Sequence, residues 1–210
     1  MKGLLLKDFA LIKNQKAFIG MIVAMGILFS FTQDTLVFSI SYVTVIGAML
    51  TLSTLSYDDF ENGNAFLFTL PITKKGYILE KYIFGAICVI MGGSFITVFS
   101  YIIAFVRKLP EESLAFSAVM AAVVSLVIMA LTFPLQLKFG AERSKMALVL
   151  VWVVIFVSGY SLIERMDQEV LEKILSIRPE MWMVMAVCVG IIVLWISYKI
   201  SVGIMEKKEF

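Results

Sequence analysis

YIFGAICVIMGGSFITVFSYIIAFV, residues Tyr82–Val106, is a run of 25 residues without one Asp, Glu, Lys or Arg, set between Lys81 and Arg107-Lys108. A bilayer core takes about 20 mostly apolar residues per spanning helix, so this run is long enough to cross. Its apolar residues go all the way round instead of alternating, which fits a helix and not a barrel strand. Five more charge-free runs accompany it: Ala17–Gln33, Thr35–Ser56, Ser113–Leu137, Met146–Ile163 and Met181–Tyr198, of 17, 22, 25, 18 and 18 residues. The last continues past Lys199, whose long stem lets the charge snorkel to the interface, to about residue 204. The runs hold 125 of the 210 residues and none of the charges. The expected fold is all-α and integral to the membrane: one transmembrane domain of six spans, at about 17–33, 35–56, 82–106, 113–137, 146–163 and 181–204. Only Thr32-Gln33-Asp34 separates the first two, which reads as a tight helical hairpin.

The whole composition agrees. The chain is 60% hydrophobic and 16% charged, with a mean hydropathy of +0.95. Soluble domains are about 45–50% apolar and about 25% charged, so a soluble enzyme is excluded. There is no histidine, which removes zinc-protease motifs, Ser-His-Asp and Cys-His pairs and imidazole relays. Cys88 and Cys188 lie in apolar runs and read as buried thiols, neither disulfide nor metal ligands. No phosphate-binding loop and no nucleophile elbow occurs, so the chain is expected not to be an enzyme and to hold no cofactor or metal. No basic stripe interleaved with aromatics points to nucleic acid.

Lys and Arg set the orientation. With the N-terminus inside, 13 of the 18 basic residues fall on the cytoplasmic side and five outside, so both termini are expected in the cytoplasm. Residues 1–16 place apolar side chains at 4, 5, 6, 9, 11 and 12, with Lys2, Lys7, Asp8, Lys13, Asn14 and Lys16 on a polar side. That is an amphipathic helix in the inner interface. A second amphipathic helix is expected outside, over residues 164–180, where Met166, Val170, Leu171, Ile174 and Ile177 recur at helical spacing.

The longest cytoplasmic segment, Tyr57–Lys81, opens with Asp58-Asp59-Phe60-Glu61 and continues through Ala65-Phe66-Leu67-Phe68. Pro71 ends any helix before it, and Thr73 is placed to cap a restart that runs into the third span. A solvated loop has little use for Phe60, Phe66, Leu67 and Phe68; such residues suit a lipid interface or a protein groove. The second cytoplasmic loop is short and basic, Lys138 to Lys145, and follows Pro134, which is expected to kink or loosen the preceding helix.

Inside the spans only mild polar groups occur, among them Ser39, Thr44, Thr51, Ser100, Ser125 and Gln136. Such groups commonly hydrogen-bond one helix to another. Ion-driven carriers usually hold Asp, Glu or His at membrane depth. The mild set favours a hydrophobic or amphipathic cargo and energy supplied from elsewhere.

Leu70-Pro71-Ile72-Thr73-Lys74-Lys75 through Lys81-Tyr82 resembles the T-L-P-I-[ST]-[KR]…K-Y segment of ABC-2 type transporter permeases, which there also follows an acidic, aromatic stretch like Asp58-Asp59-Phe60-Glu61. The opening Met1–Asp8 resembles their first helix, and Pro134 with Lys138–Lys145 resembles their proline and K-x-G-x-E-[KR] loop. The resemblance covers essentially the whole chain. The short form without a large external domain is similar to bacterial permeases that export phenol-soluble modulins or resist antimicrobial peptides.

That resemblance implies a membrane subunit of an ATP-driven exporter in the bacterial cytoplasmic membrane. ATP and Mg would be bound by a separate cytoplasmic ABC ATPase. Segment 57–81 would include the coupling helix, with Asp58, Asp59, Phe60, Glu61 and Phe66 touching the ATPase and Lys138, Glu142 and Arg143 forming a second contact. Leu70, Pro71, Lys74 and Lys75 would shape the turn into the third span. The path would lie between two permease chains, a second copy or a paralogue, and the cargo would be an amphipathic peptide. The competing readings are a stand-alone secondary carrier or channel, and a membrane scaffold giving immunity to a toxin.

Overall fold

A computed structural model describes residues 2–31, 36–60, 63–109, 113–164 and 178–208. All the regular structure in them is helical. In chain order the helices are α1 (Lys2–Asn14), α2 (Lys16–Ser30), α3 (Leu36–Asp59), the single turn α4 (Gly63–Leu67), α5 (Lys74–Arg107), α6 (Leu114–Glu164) and α7 (Pro179–Glu206). Four of them, α3, α5, α6 and α7, are long and apolar enough to cross a membrane, and α1 with α2, joined at a bend of 72°, makes a fifth candidate. The chain is a multi-spanning membrane protein.

Helix ends follow local chemistry. The Thr73 hydroxyl accepts the Gly76 N–H at 3.1 Å and caps α5. α5 closes on Lys108, which takes the left-handed conformation at φ 54° and returns its N–H to the last turn. Pro179 opens α7 with Arg178 as its cap, since the missing N–H costs nothing at a first helical position. α5 has 34 residues, about 51 Å at 1.5 Å per residue. That exceeds a hydrocarbon core of about 30 Å, so the turns before Tyr82 stand clear of the charge-free run.

Several boundaries differ from expectation. α2 has only 15 residues and ends at Ser30, short of Gln33; the hairpin at Thr32-Gln33-Asp34 lies outside the described residues. α3 runs three residues past Ser56. The short helix before Pro71 ends at Leu67, because turns closed by Phe66 and Leu67 carbonyls already hold residues 69 and 70. Pro134 does not break α6. The break lies at Gly140, with φ 80° and ψ 172°, and Lys138–Lys145 is otherwise helical instead of a loop. That backbone conformation is essentially reserved for glycine. α6 would otherwise be a rod of about 76 Å, 51 residues long. Val151 lines the same cleft as Ala130 and Leu131, so the arm after Gly140 doubles back. Of the outer amphipathic helix expected over 164–180, residues 165–177 lie outside the described residues.

Two apolar layers hold the bundle. Leu55, Tyr77, Ile78, Val89, Phe133 and Met205 form one. Leu36, Ile40, Ile96, Ile103 and Leu114 form the other, toward the opposite end. Small residues bring the helices close. A Cβ at Gly85 would sit 2.2 Å from Met129 Sδ, and one at Gly47 only 3.1 Å from the Cys88 carbonyl. Buried hydroxyls stitch the helices as expected: Ser30 to Ser39 at 2.7 Å, and Tyr82 to Ser201 at 3.0 Å.

Contacts between ends define one polar face. Lys7 and Asp8 of α1 meet Asp58 of α3 and Lys81 of α5. The Lys74 ammonium donates to the Lys208 carbonyl, and Lys75 pairs with Glu206 at 3.4 Å. The Gln136 amide donates to Ser56 at 2.7 Å. Helix α1, the end of α3, α4, the start of α5, the α6 break and the end of α7 therefore share one end of the bundle.

Candidate functional site

That shared end contains a buried ionic knot built from three helices. The Lys81 side chain is fully buried, pairs with Asp8 and with Asp58 Oδ2 at 2.8 Å, and donates to Thr54 Oγ1 at 3.1 Å. Lys7, one-third exposed, pairs with Asp58 and lies 3.3 Å from Asp8. The Tyr77 hydroxyl donates to Asp58 Oδ2 at 3.0 Å, and the Lys81 ammonium sits 5.5 Å from the Tyr77 ring centre. α1 brings Lys7 and Asp8, α3 brings Thr54 and Asp58, and α5 brings Tyr77 and Lys81.

Burying charges is costly unless each is paired and hydrogen-bonded. Here every pairing except that between the neighbours Lys7 and Asp8 crosses from one helix to another, so the cost is offset only while α1, α3 and α5 keep one register. Glu80 is also buried, and neither carboxylate oxygen has a hydrogen-bond partner. With Asp8 and Asp58 it makes three carboxylates against the two ammonium groups of Lys7 and Lys81.

Around this knot the surface is aromatic. Tyr57, Phe60 and Phe66 are 52, 68 and 74% exposed, and Leu70 is also open. Phe60 and Tyr57 line a cleft of about 350 Å³ with Gln15 and Ser53, and the Gln15 amide donates to the Tyr57 hydroxyl at 3.2 Å. Asp59 is exposed and accepts from the Asn64 side chain at 3.0 Å, fixing α4 against the end of α3. Its other oxygen lies 4.0 Å from where a Cβ on Gly140 would stand. The two segments singled out from sequence, 57–81 and 138–145, thus adjoin. Glu142 and Arg143 are exposed just beyond the break.

The sequence-predicted residues therefore divide. Asp59, Phe60, Phe66, Leu70, Pro71, Lys75, Glu142 and Arg143 lie on the open face. Asp58 does not: it is 7% exposed and turned inward onto Lys7, Lys81 and Tyr77. Lys74 is half-buried against the end of α7, and Lys138 borders a separate cleft between α6 and α7. Glu61 lies outside the described residues. Sequence reasoning missed the knot, placing Asp8 on a solvated face when it is fully buried. One signal was present: Asp8 stands four residues from both Leu4 and Ile12, inside the apolar stripe. Among the described residues no group of three or more Cys, Asp or Glu side chains is placed to hold a metal ion.

The family model described as "ABC-2 family transporter protein" matches residues 3–206. The chain belongs to the ABC-2 transporter family. No curated protein and no solved structure gave a match. Membership makes this ABC-2 protein a transport permease. It also sets the aromatic face and the knot behind it in a protein whose work is to move something across a bilayer.

Proposed function

We propose that this ABC-2 protein is the membrane subunit of an ATP-driven exporter in the bacterial cytoplasmic membrane, and that the face carrying Tyr57, Phe60 and Phe66 receives a separate cytoplasmic ABC ATPase. The observation that carries the reading is the pairing of an exposed aromatic face with a buried ionic knot directly beneath it. Large apolar side chains at the polar end of a bundle are an interaction surface. Asp59 and Asn64 fasten that surface to α3, and Asp58 fastens α3 to α1 and α5. A push on α4 is therefore delivered to three helices at once.

The same reading assigns six spans: α1 with α2, α3, α5, the two arms of α6, and α7. The positive-inside count puts the shared polar end in the cytoplasm, with both termini. The arm after Gly140 is open along much of its length, with Val154, Phe156, Val157 and Tyr160 each more than 60% exposed. An apolar arm with so few partners suits contact with a second copy or a paralogue, and the transport path lies at that junction. ATP and Mg stay on the ATPase; nucleotide-driven closure of an ATPase pair moves the two coupling faces and changes access to the path. A junction walled by Val154, Phe156 and Val157 suits an amphipathic peptide. Asp58 acts inside this device as a positioning residue, while Asp59, Phe60, Phe66, Glu142 and Arg143 make the docking contacts.

Inverted vesicles carrying the chain and its partner ATPase are expected to accumulate a fluorescent amphipathic helical peptide only when ATP is supplied. Uptake driven by an ion gradient without ATP would instead establish a stand-alone carrier. Peptide binding with no uptake and no change in ATP hydrolysis would establish a scaffold.

A further inference from the structure

We propose that the cleft between α6 and α7 binds an anionic phospholipid, with its headgroup on Lys138 and Lys207 and its acyl chains in the slot beneath. The cleft has a volume of about 860 Å³. On α7 its wall is one helical stripe, Val193, Ile196, Ile200, Gly203 and Ile204, ending in Lys207. On α6 it is Ala130, Leu131, Pro134 and Leu135, ending in Lys138. Two apolar faces, about two turns long on α6 and about four on α7, thus terminate in a lysine at the same end of the bundle. Among the described residues neither lysine has a carboxylate within ion-pair distance; Lys138 lies only over the Phe139 ring, at 5.2 Å. Two exposed cations above an apolar slot are complementary to a molecule that is anionic at one end and hydrocarbon below.

The dimensions choose the occupant. From Val193 to Lys207 the stripe rises about 21 Å, somewhat more than half of a hydrocarbon core of about 30 Å. The slot therefore spans one leaflet, with its cations where headgroups lie. It accommodates extended chains. Basic pockets between membrane helices are a recurrent way to hold anionic headgroups. The inference depends on the membrane placement of the chain and not on the ATPase or the cargo.

The test uses the full chain purified in detergent, with bound phosphatidylglycerol and phosphatidylcholine of identical acyl chains counted by native mass spectrometry. The unaltered protein is expected to retain phosphatidylglycerol about thirty-fold more than phosphatidylcholine, as expected of two surface lysines. Lys138→Gln with Lys207→Gln is expected to bring the ratio near one while keeping Tm and capture of the partner ATPase. Gly203→Phe is expected to expel both lipids, because Gly203 lines the slot and a Cβ there meets nothing within 4 Å. An unchanged lipid ratio in the double glutamine variant would overturn the proposal. So would lipid retained by Gly203→Phe, or displacement of the lipid by an amphipathic peptide. Loss of ATPase capture with the lipid ratio intact would assign Lys138 to the partner contact and overturn it too.

Discussion

Lys81 is the residue on which the inner structure converges. It touches both buried aspartates and Thr54 with no exposed side-chain surface. Removing one partner of a buried ion pair leaves the other uncompensated and costs about 3–5 kcal/mol. Lys81→Met is expected to lower stability by that order, read as a fall in Tm or in the midpoint of denaturant unfolding. Adding Asp8→Asn is expected to restore part of the loss. Glu80 supplies the contrast within the same cluster. Its carboxylate is buried without a hydrogen-bond partner, so Glu80→Gln is expected to leave Tm unchanged or raised. These residues were hard to read in sequence because Lys81 borders one of the two longest charge-free runs and passes for an anchor at its mouth. Asp8 passes for one more polar residue of an interfacial helix. Only the folding of α1 onto α3 and α5 turns both inward.

At the scale of the element, the spans were legible because bilayer thickness dictates their length, and the charge-free runs locate α3, α5 and α7 closely. The restart at Thr73 was legible for the same kind of reason, since a hydroxyl after a proline has one structural use there. Gly140 was not. Sequence reasoning expected Pro134 to kink or loosen the helix and spread the reversal over a loop at 138–145, yet α6 continues through that proline and turns at Gly140 alone, six residues later. A proline can be absorbed when neighbouring helices satisfy the freed carbonyl. A φ of 80° with ψ of 172° admits almost nothing but glycine. Gly140→Ala is expected to cost about 1–3 kcal/mol. It is also expected to misplace the returning arm, seen as lost cysteine crosslinking between positions 131 and 151. Crosslinking at the unaltered yield would show that the turn does not depend on glycine.

For the whole molecule, the polar end works as a plate to which α1, α3, α5, α6 and α7 are all fastened, with an aromatic face on its outside. The family was legible because the T-L-P-I-T-K segment shapes this plate. The division of labour within it was not, because Asp58 and Asp59 are neighbours in sequence and differ only in which side of α3 they occupy. One turns to the knot and the other to α4. The central claim, that energy enters through the outer face, is tested most directly by capture of candidate cytoplasmic ABC ATPases on this chain. Capture is compared between the unaltered permease and Phe60→Ser with Phe66→Ser. Both side chains are largely exposed, so the double variant is expected to keep its stability within about 0.5 kcal/mol of the unaltered chain. Its retained ATPase is expected to fall at least ten-fold, the order of truncating two interface anchors. Capture at the unaltered level by a folded double variant would contradict the claim and place the entry of energy elsewhere.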